Sequence, residues 1–318
     1  MNGSLSDEIL GGNIRAAARL MRLIDDGAPA ARDALAQLFP HTGGAYILGV
    51  TGNPGSGKST LVNRLIARFR GGGDTVGCIA VDPTSPFSGG AILGDRVRMQ
   101  DHAGDDGVFI RSVATRGHMG GLSRSTPAMV QVMDAMGYDI IIIETVGVGQ
   151  DEVEIVRLAD TSLVVLVPGL GDDIQADKAG LMEIADVFVL NKSDLPGSDR
   201  LRREIQTMLA LHNQAQSGEG RRERPPIVST TATDGSGVDE LLETIAQRRR
   251  DFENTDDPEM ISRRRSAHLI RAIARTELDS RFEELGQSTR FDELVASVVD
   301  GRVDPYTAAD RFARWMTD

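Results

Sequence analysis

The chain has 318 residues, 40% of them hydrophobic and 26% charged, and a formal net charge of −12. Such ordinary proportions exclude fibrous, low-complexity and membrane-bundle classes, and the length suits one large domain with a small appendage. The acidic balance argues against nucleic-acid binding, because holding a phosphate backbone non-specifically needs clustered Lys and Arg to release counterions.

Cys78 stands alone, which rules out an intrachain disulfide and any CxxC metal clip and makes a reducing, cytoplasmic location the natural expectation. The first eight residues are polar and acidic, unlike the start of a signal or transit peptide. No apolar run approaches the ~18 residues that cross a bilayer, so no membrane association is expected.

In chain order, residues 1–44 read as a helical extension, with Ile14, Ala17, Met21 and Ile24 spaced for one apolar face and Gly43-Gly44 closing the segment. The pattern then changes to short apolar runs at 46–50, 76–81, 108–112, 140–143, 163–167, 187–190 and 227–228. These are too short for helices and too continuous for half-exposed strands, so they predict strands covered on both faces.

Helical stretches alternate with them. Val62, Leu65, Ile66 and Phe69 share one helical face, and so do Met129, Val132, Met133 and Met136, the latter announced by Thr126 as cap and Pro127 at the first helical position. The expected fold class is therefore α/β, a doubly wound and mostly parallel sheet whose ligands lie beyond the carboxyl ends of the strands. This domain spans 45–250. The polar stretch 214–224 reads as a solvated loop, and residues 251–318 read as helices only, which must bury their apolar faces on the sheet domain or on a second copy.

Gly52-Asn53-Pro54-Gly55-Ser56-Gly57-Lys58-Ser59 matches GxxxxGK[ST], directly after an apolar strand and at the start of an amphipathic helix. Here the glycines let main-chain N–H groups, through Thr60, curl around phosphates; Lys58 reaches β and γ oxygens, and Ser59 offers a hydroxyl to Mg²⁺. A bare Gly-rich turn is the competing reading, and the full motif in full context disfavours it.

Acidic residues are set where metal-side groups belong. Asp82 follows the run at 76–81, Asp95 lies in the following connection, and Glu144 follows the run at 140–143; hard carboxylate oxygens suit Mg²⁺. Asp95 and Glu144 join Lys58 as the expected catalytic groups. Gly147 supplies an N–H able to sense a γ-phosphate. Val148 occupies the place where a Ras-like protein carries an orienting Gln, so slow intrinsic hydrolysis is expected, with Gln150 and Asp151 as partial substitutes.

Asn191-Lys192-Ser193-Asp194 follows the run at 187–190 and matches NKxD, whose aspartate accepts hydrogen bonds from guanine N1–H and its exocyclic amine and so rejects adenine. Ser229, Thr230 and Thr231 are placed to add contacts to the base, or else form a polar turn leading into the helix at Val238. Guanine nucleotide (GTP or GDP) and Mg²⁺ are the expected ligands.

Taken together, TGNPGSGKST at 51–60, VDPTSPFSGGAILGDRVRM at 81–99, RSVATRGHMGGLS at 111–123, ETVGVGQDEVEI at 144–155 and VPGLGDDIQADKAGLMEIADVFVLNKSD at 167–194 resemble the MeaB/ArgK family of P-loop GTPases. The resemblance implies a SIMIBI-class GTPase domain and a role as chaperone of an adenosylcobalamin-dependent acyl-CoA mutase, of the methylmalonyl-CoA mutase type. It implies that Lys58, Ser59, Asp82, Asp95 and Glu144 serve phosphate and metal, and that Asn191, Lys192, Asp194 and Ser229–Thr231 hold guanine. Mobile segments would be 83–98, 147–152 and 168–178, the last signalling nucleotide state to the mutase. The tail, including VDPYTAADRF at 303–312, resembles the family's C-terminal dimerisation region and implies a homodimer.

A nickel-delivering metallochaperone GTPase is the alternative. It demands soft ligands near the switch segments. Cys78 sits inside an apolar run, and His102 and His118 are scattered. The basic runs at 221–224, 248–250 and 263–265 lack aromatic interleaving and are broken by acidic neighbours, so they read as solvated faces.

Overall fold

A computed structural model describes residues 4–82, 102, 104–114, 125–145, 158–169, 184–215, 224–253 and 258–316. The chain divides into two compact units, Met1–Pro258 and Glu259–Asp318.

The first unit is organised on seven parallel strands: β1 (Tyr46–Thr51), β2 (Val76–Asp82), β3 (Val108–Ala114), β4 (Ile140–Thr145), β5 (Thr161–Leu166), β6 (Val187–Leu190) and β7 (Ile227–Ser229). Their spatial order is β3-β2-β4-β1-β5-β6-β7, and every pairing is parallel. After β1 the chain skips one place to β2 and moves outward to β3. It then returns to insert β4 between β2 and β1, and afterwards builds outward on the far side. That reversal puts the carboxyl ends of β1, β4 and β5 side by side at the switch point of the sheet, where doubly wound folds bind ligands.

Among the described residues, the α-helices of this unit are α1 (Leu5–Leu10), α2 (Ile14–Asp25), α3 (Ala30–Leu38), α4 (Lys58–Gly71), α5 (Thr126–Ala135), α6 (Ser198–Ala215) and α7 (Val238–Glu253). Successive β4 residues explain the unbroken apolar runs: Ile141 and Ile143 join the core under α1–α3 and α5, while Ile140 and Ile142 join the core under α4 and α7. α6 covers β5 and β6 through Ile205 against Val164, Phe188 and Leu190. Each fully buried isoleucine contributes about 1.5–3 kcal/mol of transfer free energy, which is why a strand with both faces covered needs no polar alternation.

Residues 4–44 form three short α-helices followed by a 3-10 turn at Phe39–His41. Gly11 and Gly12 end α1, and the Asn13 side chain accepts from the Arg15 and Ala16 N–H groups to start α2. Ala17 and Met21 are buried as their spacing predicts, whereas Ile14 is exposed. Exit from this segment is held from α5: the Asp134 carboxylate accepts the N–H groups of Gly43, Gly44 and Ala45 at 2.6, 3.1 and 2.9 Å. Thr126 lies inside α5 and Ser125 is the residue before the helix, so Pro127 falls within the first turn rather than opening it.

The second unit contains α8 (Pro258–Gly286), α9 (Thr289–Val299) and α10 (Pro305–Trp315). Ser288 caps α9, and Asp304 caps α10 by accepting from the Tyr306 and Thr307 N–H groups at 3.0 Å. Leu294, Ala308 and Phe312 form its small core; the Phe312 ring meets those of Phe282 and Phe291, each at 4.9 Å between centroids. Ile270, Ile273 and Leu278 of α8 remain exposed.

Candidate functional site

Gly52 leaves β1 at φ +137°, and a Cβ there would meet the Val165 carbonyl oxygen of neighbouring β5 at 2.1 Å, so only glycine allows the chain to turn off the sheet so close to β5. Asn53, Pro54 and Gly55 form the outer part of the loop, and Ser56 is fully buried beneath it. Gly57, at φ +85°, precedes α4; its missing Cβ leaves room for Asn191 Nδ2, which would otherwise lie 2.5 Å away. Lys58, Ser59 and Thr60 make up the first turn of α4, so their main-chain N–H groups are among those no helical carbonyl satisfies.

Lys58 is buried. Its ammonium donates to the carbonyls of Gly52 and, at 3.0 Å, Asn53, which offsets the cost of removing a charge from water and lays the side chain back across the loop. Ser59 Oγ donates to Glu144 Oε1 at 2.6 Å in buried surroundings. Glu144 lies within β4, opposite Val50 of β1 and Ala80 of β2, rather than after the strand. Thr145 Oγ1 and Thr51 Oγ1 join the ends of β4 and β1 at 3.1 Å. Asp82 is the last residue of β2 and pairs with Ala114. Asp95, Gly147, Val148, Gln150 and Asp151 lie outside the described residues, as do most of the segments 83–98, 147–152 and 168–178.

Across the loop stands the NKxD segment. Asn191 Nδ2 donates to the Ser56 carbonyl at 2.7 Å, while its Oδ1 accepts from Thr230 Oγ1 and the Ala232 N–H, each at 3.1 Å. Lys192 adopts φ +55°, and its ammonium donates to the Gly55 carbonyl at 2.9 Å. Asp194 is exposed; its Oδ1 accepts from Thr231 Oγ1 at 3.4 Å. Ser193 Oγ and Thr231 Oγ1 are 3.2 Å apart. The segment predicted from four consecutive residues is thus hydrogen-bonded to the phosphate loop on one side and to the turn after β7 on the other.

Ser229, Thr230 and Thr231 do not act alike. Thr230 serves Asn191 and Thr231 reaches Asp194, whereas Ser229 ends β7 and its hydroxyl accepts from Arg202 of α6 at 2.9 Å. The turn continues to an isolated bridge between Thr231 and Ser236, and the Asp234 carboxylate is held below the usual carboxylate range chiefly by the Ser236 N–H at 2.8 Å. Ala232 and Arg202 escaped the sequence reading. Nothing in their residue types marks them, since Ala232 contributes a main-chain N–H and Arg202 is one of several arginines on a polar helix.

Ser59 and Glu144 are hard oxygen donors brought to 2.6 Å of each other at the start of a phosphate-loop helix, which fits a magnesium ion. Among the described residues no group of three or more His, Cys, Asp or Glu side chains could hold a metal; Cys78 is buried in the core, and His102 lies 3.3 Å from the Asn63 carbonyl. Among the described residues, no helix is long and apolar enough to cross a membrane.

Comparison with known proteins adds to this geometry. The profile of the family described as methylmalonyl Co-A mutase-associated GTPase MeaB matches residues 17–287. A GTPase of Pyrococcus abyssi is 46% identical over 98% of this chain and 95% of its own length. The GTPase ArgK of Escherichia coli is 38% identical over 72% of this chain and 70% of its own. In fold, the chain is similar to a crystal structure of an LAO/AO transport system kinase, with a TM-score of 0.71 at 23% identity, covering 99% of this chain and 97% of the other.

Proposed function

We propose that this chain, which belongs to the MeaB family of GTPases, couples GTP hydrolysis to the care of an adenosylcobalamin-dependent acyl-CoA mutase of the methylmalonyl-CoA mutase type, gating its cofactor loading or protecting it. That it is a P-loop GTPase follows from its family and its relatives. The mutase role is supported chiefly by one observation: the match to a mutase-associated family runs through both nucleotide loops and most of the chain, over residues 17–287.

In this reading the N–H groups of Gly52 to Thr60 and the start of α4 hold the β- and γ-phosphates, and Lys58 turns its ammonium toward them from the carbonyls of Gly52 and Asn53. Ser59 and Glu144, with Asp82 and Asp95, hold Mg²⁺, which when bound neutralises charge on the phosphoryl oxygens. Asp194 accepts from the guanine N1–H and amine; Asn191, Lys192, Thr230 and Thr231 keep it in place, with Ser229 at the edge of the turn. An adenine ring leaves that carboxylate facing an acceptor rather than two donors.

Gly147 senses the γ-phosphate, and a mutase that favours one nucleotide state must alter nucleotide affinity or turnover in return. The exposed Ile270, Ile273 and Leu278 of α8 support a homodimer formed through residues 251–318, and a buried lone cysteine suits a cytoplasmic setting.

The test is to titrate the purified chain with an adenosylcobalamin-dependent methylmalonyl-CoA mutase and follow GTP turnover. Slow hydrolysis that rises with the mutase is the expected result. Turnover unchanged at saturating mutase, with no complex on gel filtration in GDP or in a non-hydrolysable GTP analogue, would remove the mutase from the account while leaving the GTPase.

A further inference from the structure

Two arginines one turn apart on α4 reach away from the phosphate-loop helix, Arg64 to the turn after β7 and Arg68 to the start of α7. Arg64 Nε donates to the Ala232 carbonyl at 3.0 Å and Arg64 Nη2 to the Thr233 carbonyl at 2.6 Å. Arg68 Nε pairs with Asp239 Oδ1, at the start of α7, at 3.0 Å. An exposed arginine ordinarily meets a carboxylate in a contact worth little. Arg64 instead spreads its planar fork over two successive main-chain carbonyls that lie 168 and 169 residues away in sequence. Two bonds from one rigid group orient the peptide planes on which they act.

Those carbonyls belong to the turn that completes the base-reading site. The Ala232 N–H supplies one of the two hydrogen bonds to Asn191 Oδ1, and Thr231, immediately before it, donates to Asp194. Beyond the Thr231–Ser236 bridge this turn has no regular ladder to hold it. Main-chain bonds fix its start, with Thr230 N–H donating to the Leu190 carbonyl at 2.8 Å and Ser193 N–H to the Thr230 carbonyl at 3.0 Å, while Ala232 and Thr233 beyond it are gripped by the side chains of Asn191 and Arg64.

We infer that Arg64 is a positioning residue for guanine selection: by clamping the carbonyls of Ala232 and Thr233 it holds Thr231 against Asp194, and so aims the carboxylate that distinguishes guanine from related purines. The inference rests on the base-reading role given above to Asp194. It also ties the two halves of the nucleotide site together, because the clamp springs from the helix that begins at Lys58.

Guanine and hypoxanthine differ only in the exocyclic amine, so the ratio of inosine diphosphate to GDP dissociation constants reads the aim of Asp194 directly. We would measure both constants by calorimetry for the wild-type full chain, for Arg64→Met, which keeps the stem and loses the donors, and for Arg64→Lys. The expected outcome is a ~10-fold loss of GDP affinity in Arg64→Met, a much smaller change for inosine diphosphate, and an intermediate ratio in Arg64→Lys. A lowered melting temperature with an unchanged ratio in both variants means that Arg64 only braces the fold, and the inference is overturned. A wild-type protein with no preference between the two nucleotides sinks the role of Asp194, and this inference with it; preserved selectivity in the variants sinks the inference alone.

Discussion

Asn191→Ala offers the most direct trial of the way the nucleotide site is held together. The Asn191 side chain, 2% exposed with its residue, donates to the Ser56 carbonyl at 2.7 Å and accepts from Thr230 Oγ1 and the Ala232 N–H at 3.1 Å. Truncation leaves three buried polar groups without these partners. A buried group so orphaned costs ~1–3 kcal/mol, and water entering the vacated space favours the lower end, so about 3 kcal/mol of stability is expected to disappear. Asn191→Asp separates the bonds: it keeps the acceptor toward Thr230 and Ala232 but sets an oxygen against the Ser56 carbonyl, and should still lose more than about 1.5 kcal/mol. Urea denaturation of nucleotide-free protein, followed by tryptophan-independent circular dichroism, measures both. If Asn191→Ala unfolds within about 0.5 kcal/mol of wild type, the three bonds do not hold the loops and the reasoning fails.

Gly57→Ala forces a Cβ to within 2.5 Å of Asn191 Nδ2 at a φ of +85°, so nucleotide affinity should fall by at least an order of magnitude in calorimetry; near-native affinity would refute the steric argument. Glu144→Gln should lower GTP turnover ~100-fold and raise the Mg²⁺ concentration needed for half-maximal rate, and an unaltered Mg²⁺ dependence would take Glu144 out of the metal role. Lys58→Ala should abolish hydrolysis in a phosphate-release assay, and unchanged turnover would dismiss Lys58. Arg70 holds the Asp105 carboxyl below its ordinary range through hydrogen bonds at 2.8 and 2.9 Å, so the pair stabilises the fold above the unfolded carboxyl pKa and ceases to do so as pH falls through the lowered folded value. The difference in thermal midpoint between wild type and Asp105→Asn should therefore be present near neutrality and shrink on acidification; a gap that widens toward acid would contradict it.

Much of this site is legible in the sequence because its parts are consecutive in the chain. A loop that curls main-chain N–H groups around phosphates needs its glycines within a few residues, and the strand runs at 46–50 and 140–143 announce covered strands because each is apolar throughout. Boundaries were less legible. Glu144 and Ser229 read as residues beyond their strands, yet both are laddered, because a strand ends where its neighbour stops pairing and not where apolar residues stop. Gly11 and Asn13 broke the first helical segment, a cap signal that the wider apolar periodicity concealed.

What the amino-acid order specified by itself was the class of chemistry proposed above: a phosphate loop after one strand, an acid after another, and an NKxD segment after a third, each marked by neighbours a few residues apart. Tertiary structure alone decided which of these touch. Inserting β4 between β1 and β2 carries Glu144 to Ser59, and the β5–β6 pairing on the other side of β1 delivers Asn191 beneath Gly57. Hydrogen bonds of 2.6–3.1 Å depend on position in space, and contacts such as Arg64 with Ala232 or Asp134 with Gly43 join residues with no local signature linking them.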